Sequence, residues 1–124
     1  MLGEFLAESA RRRRIAGVWD CCTFPAEWAM RNGHPDPMAK WRGYESEAEA
    51  EHLIAEAGGL DVLFAEGLAG LEAPDLRAGD IGVIGVGAEQ AGAVFTGKRW
   101  AVVLDRGLGF TSIEPEHVLR VWRP

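Results

Sequence analysis

The stretch Leu76-Arg77-Ala78-Gly79-Asp80-Ile81-Gly82-Val83-Ile84-Gly85-Val86 divides the sequence into two halves of different character. Its Gly-Asp pair is typical of a turn, and the apolar run that follows is typical of a β-strand. Further short apolar runs come after it, at the spacing of antiparallel strands. The five predicted strands are Ile81–Val86, Gly92–Phe95, Trp100–Leu104, Gly109–Ile113 and His117–Trp122.

The residues before this stretch predict four helices. Asp20 is a good N-cap for the second helix. Ser46 and Glu49 form a capping box for the third, which Gly58-Gly59 closes. Four apolar residues at helical spacing form the buried face of that third helix, namely Ala50, Leu53, Ile54 and Ala57. The predicted helices cover residues 2–14, about 21–31, about 47–57 and about 61–69.

Helices followed by strands predict an α+β fold. N-terminal helices, in a part covering about 1–72, would pack on a small antiparallel sheet of four or five strands at about 76–123. The length of 124 residues fits a single domain, 1–124. A chain of this length can bury enough apolar surface to fold without a disulfide or a metal.

Composition excludes several classes of protein. The net charge of −6 argues against a sequence-independent nucleic-acid binder. No apolar run approaches the roughly 18 residues of a membrane span, and we expect no signal peptide. Cys21 and Cys22 are adjacent, which disfavours a disulfide between them, and no Cys/His spacing suits zinc. We therefore expect free thiols, no metal and no cofactor.

The segment Asp20-Cys21-Cys22-Thr23-Phe24 is the strongest candidate for chemistry. A thiol at a helix start lies near unpaired backbone N–H groups and the positive end of the helix dipole, which both lower the pKa of cysteine. Nucleophilic cysteines are usually presented in this way. Cysteine is also among the most buried residue types, so an inert packing role for Cys21 stays open. Asp20 is either a plain N-cap or a charge that opposes thiolate formation.

These motifs, in this order, resemble those of the NlpC-type cell-wall cysteine peptidases, which are compact papain-like domains. Asp20-Cys21-x-x-Phe24 matches their nucleophile helix, and Leu76-Arg77-Ala78-Gly79-Asp80-Ile81 matches the turn that enters their sheet. The segment from Trp19 to Trp28 resembles a small relative found among the tail genes of tailed bacteriophages and prophages. The resemblance implies a papain-like fold with Cys21 at the nucleophile position and Cys22 where the family has serine.

The general base of that family is a histidine opening the strand after the Gly-Asp turn, and this sequence lacks it. Gln90 or Ala91 falls at that position, and an amide accepts no proton from a thiol near neutral pH. His34 lies beyond the far end of the second helix, and His52 points away from the buried face of the third. His117, at the start of the last strand, is the in-chain candidate for the base, with a structural role as the alternative.

Two further groups of residues are candidate contact surfaces. The run Arg11-Arg12-Arg13-Arg14 would meet a phosphate or an acidic neighbour protein, with a solvated helix end as the alternative. Trp41 and Tyr44 fall in a loop-like stretch, where exposed aromatic side chains commonly anchor interfaces.

Residues and resemblance together favour a structural or accessory protein of a phage tail or tail tip, acting by protein–protein contacts on a degenerate peptidase fold. Its partners would be other tail proteins, and it would reside in the virion tail after synthesis in the host cytoplasm. The alternative is an active cysteine peptidase or amidase that cleaves peptidoglycan cross-links with Cys21 as nucleophile. A third possibility is a cleft that binds a cell-wall peptide without cleaving it.

Overall fold

The computed structural model describes residues 1–124 and contains four α-helices followed by a five-stranded antiparallel sheet, as the α+β prediction required. The helices are α1 (Leu2–Ser9), α2 (Thr23–Arg31), α3 (Glu47–Ala57) and α4 (Leu60–Gly67). The strands are β1 (Ile81–Val86), β2 (Glu89–Phe95), β3 (Trp100–Leu104), β4 (Gly107–Thr111) and β5 (Val118–Trp122). None of these helices combines the length and the apolar character that crossing a membrane requires.

The predicted first helix is too long. α1 ends at Ser9, and the basic run follows it as a turn and an extended segment. Alternate residues of an extended chain point to opposite sides. Arg12 and Arg14 accordingly point inward to Glu27 and Glu47, an arrangement that a continuous helix would not give.

The other helices lie closer to their predicted bounds. α3 has the predicted ends, with Ser46 Oγ accepting a hydrogen bond from the Glu49 amide at 3.1 Å and with Gly58 in the left-handed conformation at φ 99°. α4 lies one to two residues before its predicted position, and α2 begins at Thr23 rather than Cys21. The chain just before α2 forms a turn instead, held by the Asp20 side chain.

The sheet has the order β4-β3-β2-β1-β5. β1 and β3 match their predicted bounds, while β2 and β4 begin earlier because two-residue turns join them to the strands before them. β5 begins at Val118, one residue after the prediction, because His117 ends a short 3₁₀ turn at Pro115–His117.

The two faces of the sheet carry separate hydrophobic clusters. The larger cluster lies between the helices and one face, and the smaller one lies on the other face. Successive residues of a strand alternate between the faces. In β2, Val94 joins the larger cluster, whereas Ala91 and Ala93 belong to the smaller one. Gly92 and Gln90 therefore face the helices.

A buried carboxylate anchors the Gly-Asp turn that enters β1. Asp80 is 0% exposed and accepts hydrogen bonds from Arg123 Nε and Nη2, both at 2.9 Å, and from the Arg77 amide at 2.8 Å. Arg123 follows β5 and also reaches the exposed Asp75. The predicted turn thus ties the start of β1 to the end of β5.

Asp80→Ala is expected to lower the free energy of unfolding by about 2 kcal/mol, because it removes charged hydrogen bonds and leaves the Arg77 amide without an acceptor. Asp75→Ala removes the exposed partner of the same arginine and should leave the unfolding midpoint nearly unchanged. Urea unfolding followed by tryptophan fluorescence measures both variants. Equal losses in the two would contradict the anchoring role of Asp80.

Candidate functional site

Cys21 lies in a tight turn that Asp20 organises. Asp20 Oδ1 accepts hydrogen bonds from the amides of Cys22 and Thr23, both at 2.9 Å. In return, Thr23 Oγ1 accepts one from the Asp20 amide at 2.8 Å. This reciprocal pattern is that of a capping box. Asp20 therefore caps the turn that leads into α2, although the helix itself begins at Thr23.

The second oxygen of Asp20 holds Tyr44. Asp20 Oδ2 accepts the Tyr44 hydroxyl at 2.6 Å and the Gly17 amide at 2.8 Å. Tyr44 is only 6% exposed, so it is not the surface anchor that its loop-like sequence predicted. Because the Asp20 carboxylate is buried, the phenol that donates to it must be buried as well.

Asp20 carries a negative charge beside the cysteines. Burial raises the pKa of the Asp20 carboxyl, but hydrogen bonds from Tyr44 and three backbone amides outweigh it, so the net pKa is lowered. Burial and the neighbouring Cys22 and Asp20 raise the pKa of Tyr44 well above its usual range. Asp20 is therefore ionised and Tyr44 neutral throughout the physiological pH range.

The two thiols differ in exposure and acidity. Cys21 is half-buried and Cys22 is buried. A hydrogen bond donated by Cys22 lowers the pKa of the Cys21 thiol against the opposing effects of burial and Asp20, and Arg14 and the Gly92 amide assist it. The same hydrogen bond and burial raise the pKa of Cys22. Cys21 is thus the thiol that ionises first.

The sheet opens beside Cys21. β2 and β3 pair from Ala93↔Val102 to Phe95↔Trp100, and the next position, Gly92 opposite Val103, is unpaired. The Val103 carbonyl accepts Arg14 Nη1 at 3.3 Å instead, and the Gly92 amide helps to lower the pKa of the Cys21 thiol. A Cβ at position 92 would collide with the Cys21 carbonyl oxygen and the Phe64 ring. Only glycine at position 92 allows β2 to approach the Cys21 turn this closely.

Cys21 faces two clefts. The first, which we call the thiol cleft, has a volume of about 360 Å³ and lies between the Cys21 turn, α3 and the start of β2. Its lining residues are Arg14, Asp20, Cys21, Cys22, Glu47, Ala50, Glu51, Ile54, Ala55, Leu60, Glu89 and Gln90. The second, about 470 Å³, lies between the diverging ends of β2 and β3 and shares Arg14, Cys21, Glu89 and Gln90 with the first.

Gln90 lines both Cys21 clefts, at the position where the resembled peptidases have histidine. Ala91, the other residue at that position of the sequence, packs on the outer face of the sheet. No histidine lines either cleft. The cleft therefore contains an acidified thiol without an imidazole to accept its proton.

His117 does not approach Cys21. It is exposed, and its imidazole lies beside Gly85 of β1. β1 separates β5 from β2, the strand that contacts Cys21. The role of base would require the His117 side chain on the helix face of the sheet, but Val121, at an alternate position along the chain, packs in the cluster on the opposite face. The remaining imidazole on a helix, that of His52, is exposed and pairs with Glu56.

The basic run divides into two sides. Arg11 and Arg13 are exposed, whereas Arg12 binds Glu27 through Nη1 at 2.7 and 2.9 Å and lies over the Trp19 ring. Arg14 enters the thiol cleft. The position of Arg14 in the cleft was not predicted. An extended basic run, in which alternate side chains point to opposite sides, would have indicated it.

Two residues remain, namely Trp41, which the sequence predicted as an interface residue, and Glu89, which it did not predict. Trp41 is half-buried, with Lys40 Nζ 5.3 Å from its ring centre, and lines a separate cleft of about 480 Å³. Glu89, at the mouth of both Cys21 clefts, was missed because the sequence placed it in a turn before β2.

Comparison with known proteins identifies one family. A family model described as a domain of unknown function, DUF6950, matches residues 1–124. A search of curated proteins found no match.

Asp20→Asn is expected to lower the free energy of unfolding by about 2 kcal/mol at pH 7, since it disrupts the cap and the Tyr44 contact. The folded-state pKa of Asp20 lies below the unfolded value of about 3.9. Its contribution is therefore present above about pH 4 and lost as the pH falls through the folded-state pKa. Urea unfolding at several pH values should show the wild-type advantage shrinking in acid. An advantage independent of pH would contradict the assignment.

Gln90→His is expected to raise the alkylation rate of Cys21 at pH 6 about tenfold, because an imidazolium in the cleft stabilises the thiolate. Ala91→His places the same group on the outer face and should have no effect. The alkylation rates of both variants are measured with iodoacetamide in a Cys22→Ser background, so that Cys21 is the only thiol that can react. Equal rates in the two variants would show that position 90 does not face Cys21.

Proposed function

This chain belongs to the DUF6950 family, and we propose that it is a structural or accessory protein of a phage tail or tail tip, acting by protein–protein contacts on a degenerate papain-like, NlpC-type fold. The observation that carries the proposal is Gln90 in the thiol cleft, where the resembled peptidases have histidine. Peptidase turnover needs a group that takes the thiol proton and returns it to the leaving amine, and an amide does neither.

Two further observations support the parts of this proposal. α2 packs against β2 and presents Cys21 at its entrance, which supports the papain-like part. The tail part is supported by the resemblance of the segment from Trp19 to Trp28 to a family of phage tail genes. Exposed Arg11 and Arg13 and the half-buried Trp41 are the predicted contact residues that remain accessible to other tail proteins.

The second candidate is an active cysteine peptidase or amidase acting on peptidoglycan cross-links. The lowered pKa of the Cys21 thiol and its position between two clefts favour it. Against it, the Cys22 and Thr23 amides, which would stabilise an oxyanion at the helix start, both donate to Asp20. His117, the candidate base, lines neither cleft.

Complementation separates the two candidates. Deleting the gene from the genome that carries it is expected to yield particles with defective tails in electron micrographs. Cys21→Ala should restore tails as well as the wild type does, and the purified protein should not hydrolyse peptidoglycan peptides.

Two outcomes would contradict the proposal. Normal tails in the deletion strain would reject the tail role. Hydrolysis by the wild type that Cys21→Ala abolishes would establish the peptidase instead.

A further inference from the structure

Helix α3 is the outer wall of the thiol cleft and the most loosely packed helix of the fold. None of its eleven residues is fully buried, and its predicted buried face is only half-buried. On one side Ala50 and Ile54 line the thiol cleft, and on the other Leu53 lines the cleft of about 480 Å³ beside Trp41. A helix with open space on two sides and few buried contacts opens at low free-energy cost.

The ends of α3 allow it to move as a unit. Gly58 and Gly59 join it to α4 with φ values of 99° and 125°, a region that glycine enters without steric cost. α4 is fixed by its buried residues Leu60, Leu63 and Phe64. Before α3, the chain is held at Tyr44 by the Asp20 hydrogen bond. Rotation at the glycine pair, together with rotation at Glu45 and Ser46, would leave α4 and Tyr44 in place and lift the half-buried face of α3 from the core.

A side-chain ion pair joins the first turn of α3 to the opposite wall of the cleft. Arg14 Nε and Nη2 donate to Glu47 Oε1 and Oε2, each at 3.0 Å, and Arg14 is itself fixed by the Val103 carbonyl. Glu47 lies in the first turn of α3, at the end farthest from the glycine pair. Glu51, one turn along and facing the same cleft, makes no ion pair.

We propose that α3 is a lid over the thiol cleft, closed by the Arg14–Glu47 ion pair and hinged at Gly58-Gly59, which controls access to Cys21. The lid follows from the packing of α3 and does not depend on which partner or substrate the cleft receives. Glu47 is partly exposed, and an ion pair open to solvent is of modest strength. Its loss should therefore raise the population of the open lid about fivefold.

The test compares Glu47→Gln with its matched control Glu51→Gln, both in the Cys22→Ser background. Two quantities are measured, namely the plateau rate of Cys21 alkylation by iodoacetamide at high pH, and the hydrogen exchange of the α3 amides. Glu47→Gln is expected to raise the plateau rate about fivefold and to speed exchange in residues 47–57. Glu51→Gln should change both by less than twofold.

The plateau rate matters because freeing Arg14 also alters the ionisation of Cys21. If Glu47→Gln shifts only the midpoint of the pH profile, with plateau rate and exchange unchanged, Arg14 acts on the thiol by charge alone and there is no lid. Equal effects of Glu47→Gln and Glu51→Gln would likewise contradict the role of the Arg14–Glu47 ion pair in closing the lid. Neither measurement needs a substrate or a tail protein, so the lid and the proposed function fail or succeed separately.

Discussion

A carboxylate that is 4% exposed must have its oxygens hydrogen-bonded, and the arrangement of this molecule around α2 follows from how Asp20 meets that requirement. Three of its donors are backbone amides within three residues, which fold the chain from Gly17 to Thr23 into a compact turn. The fourth donor is the Tyr44 hydroxyl. This long-range contact brings the segment before α3 against the start of α2, so one side chain positions both walls of the thiol cleft.

The same charge sets the chemistry of the cysteines. A fixed anion next to Cys21 opposes thiolate formation, and three nearby groups offset it, two by hydrogen bonding and one by its positive charge. These are the Cys22 thiol, the Arg14 guanidinium and the Gly92 amide. Arg14 is also bound by Glu47, which divides its positive charge between α3 and the thiol. One of the groups that lower the pKa of Cys21 is therefore also bound to α3.

Short sequence patterns predicted the helices and strands whose ends are set by neighbouring residues. The Ser46 cap and Gly58 defined α3, and the apolar runs defined β1 and β3. The site depended on contacts that no local pattern contains. The Asp20–Tyr44 bond spans 24 residues, and the Arg14–Val103 bond spans 89. The sequence predicts a helix through the basic run, whereas ion pairs to Glu27 and Glu47 stabilise an extended chain there.

The β2–β3 pairing ends before Gly92, beside Cys21. A continuous β2–β3 ladder would satisfy Gly92 and Val103 with each other, and each such hydrogen bond contributes about 1 kcal/mol. Instead the Val103 carbonyl binds Arg14, the Gly92 amide helps to lower the pKa of the Cys21 thiol, and a cleft of about 470 Å³ lies between the strands beyond them. The fold thus places Cys21 between two clefts, with Arg14 beside it and no histidine in the lining of either one.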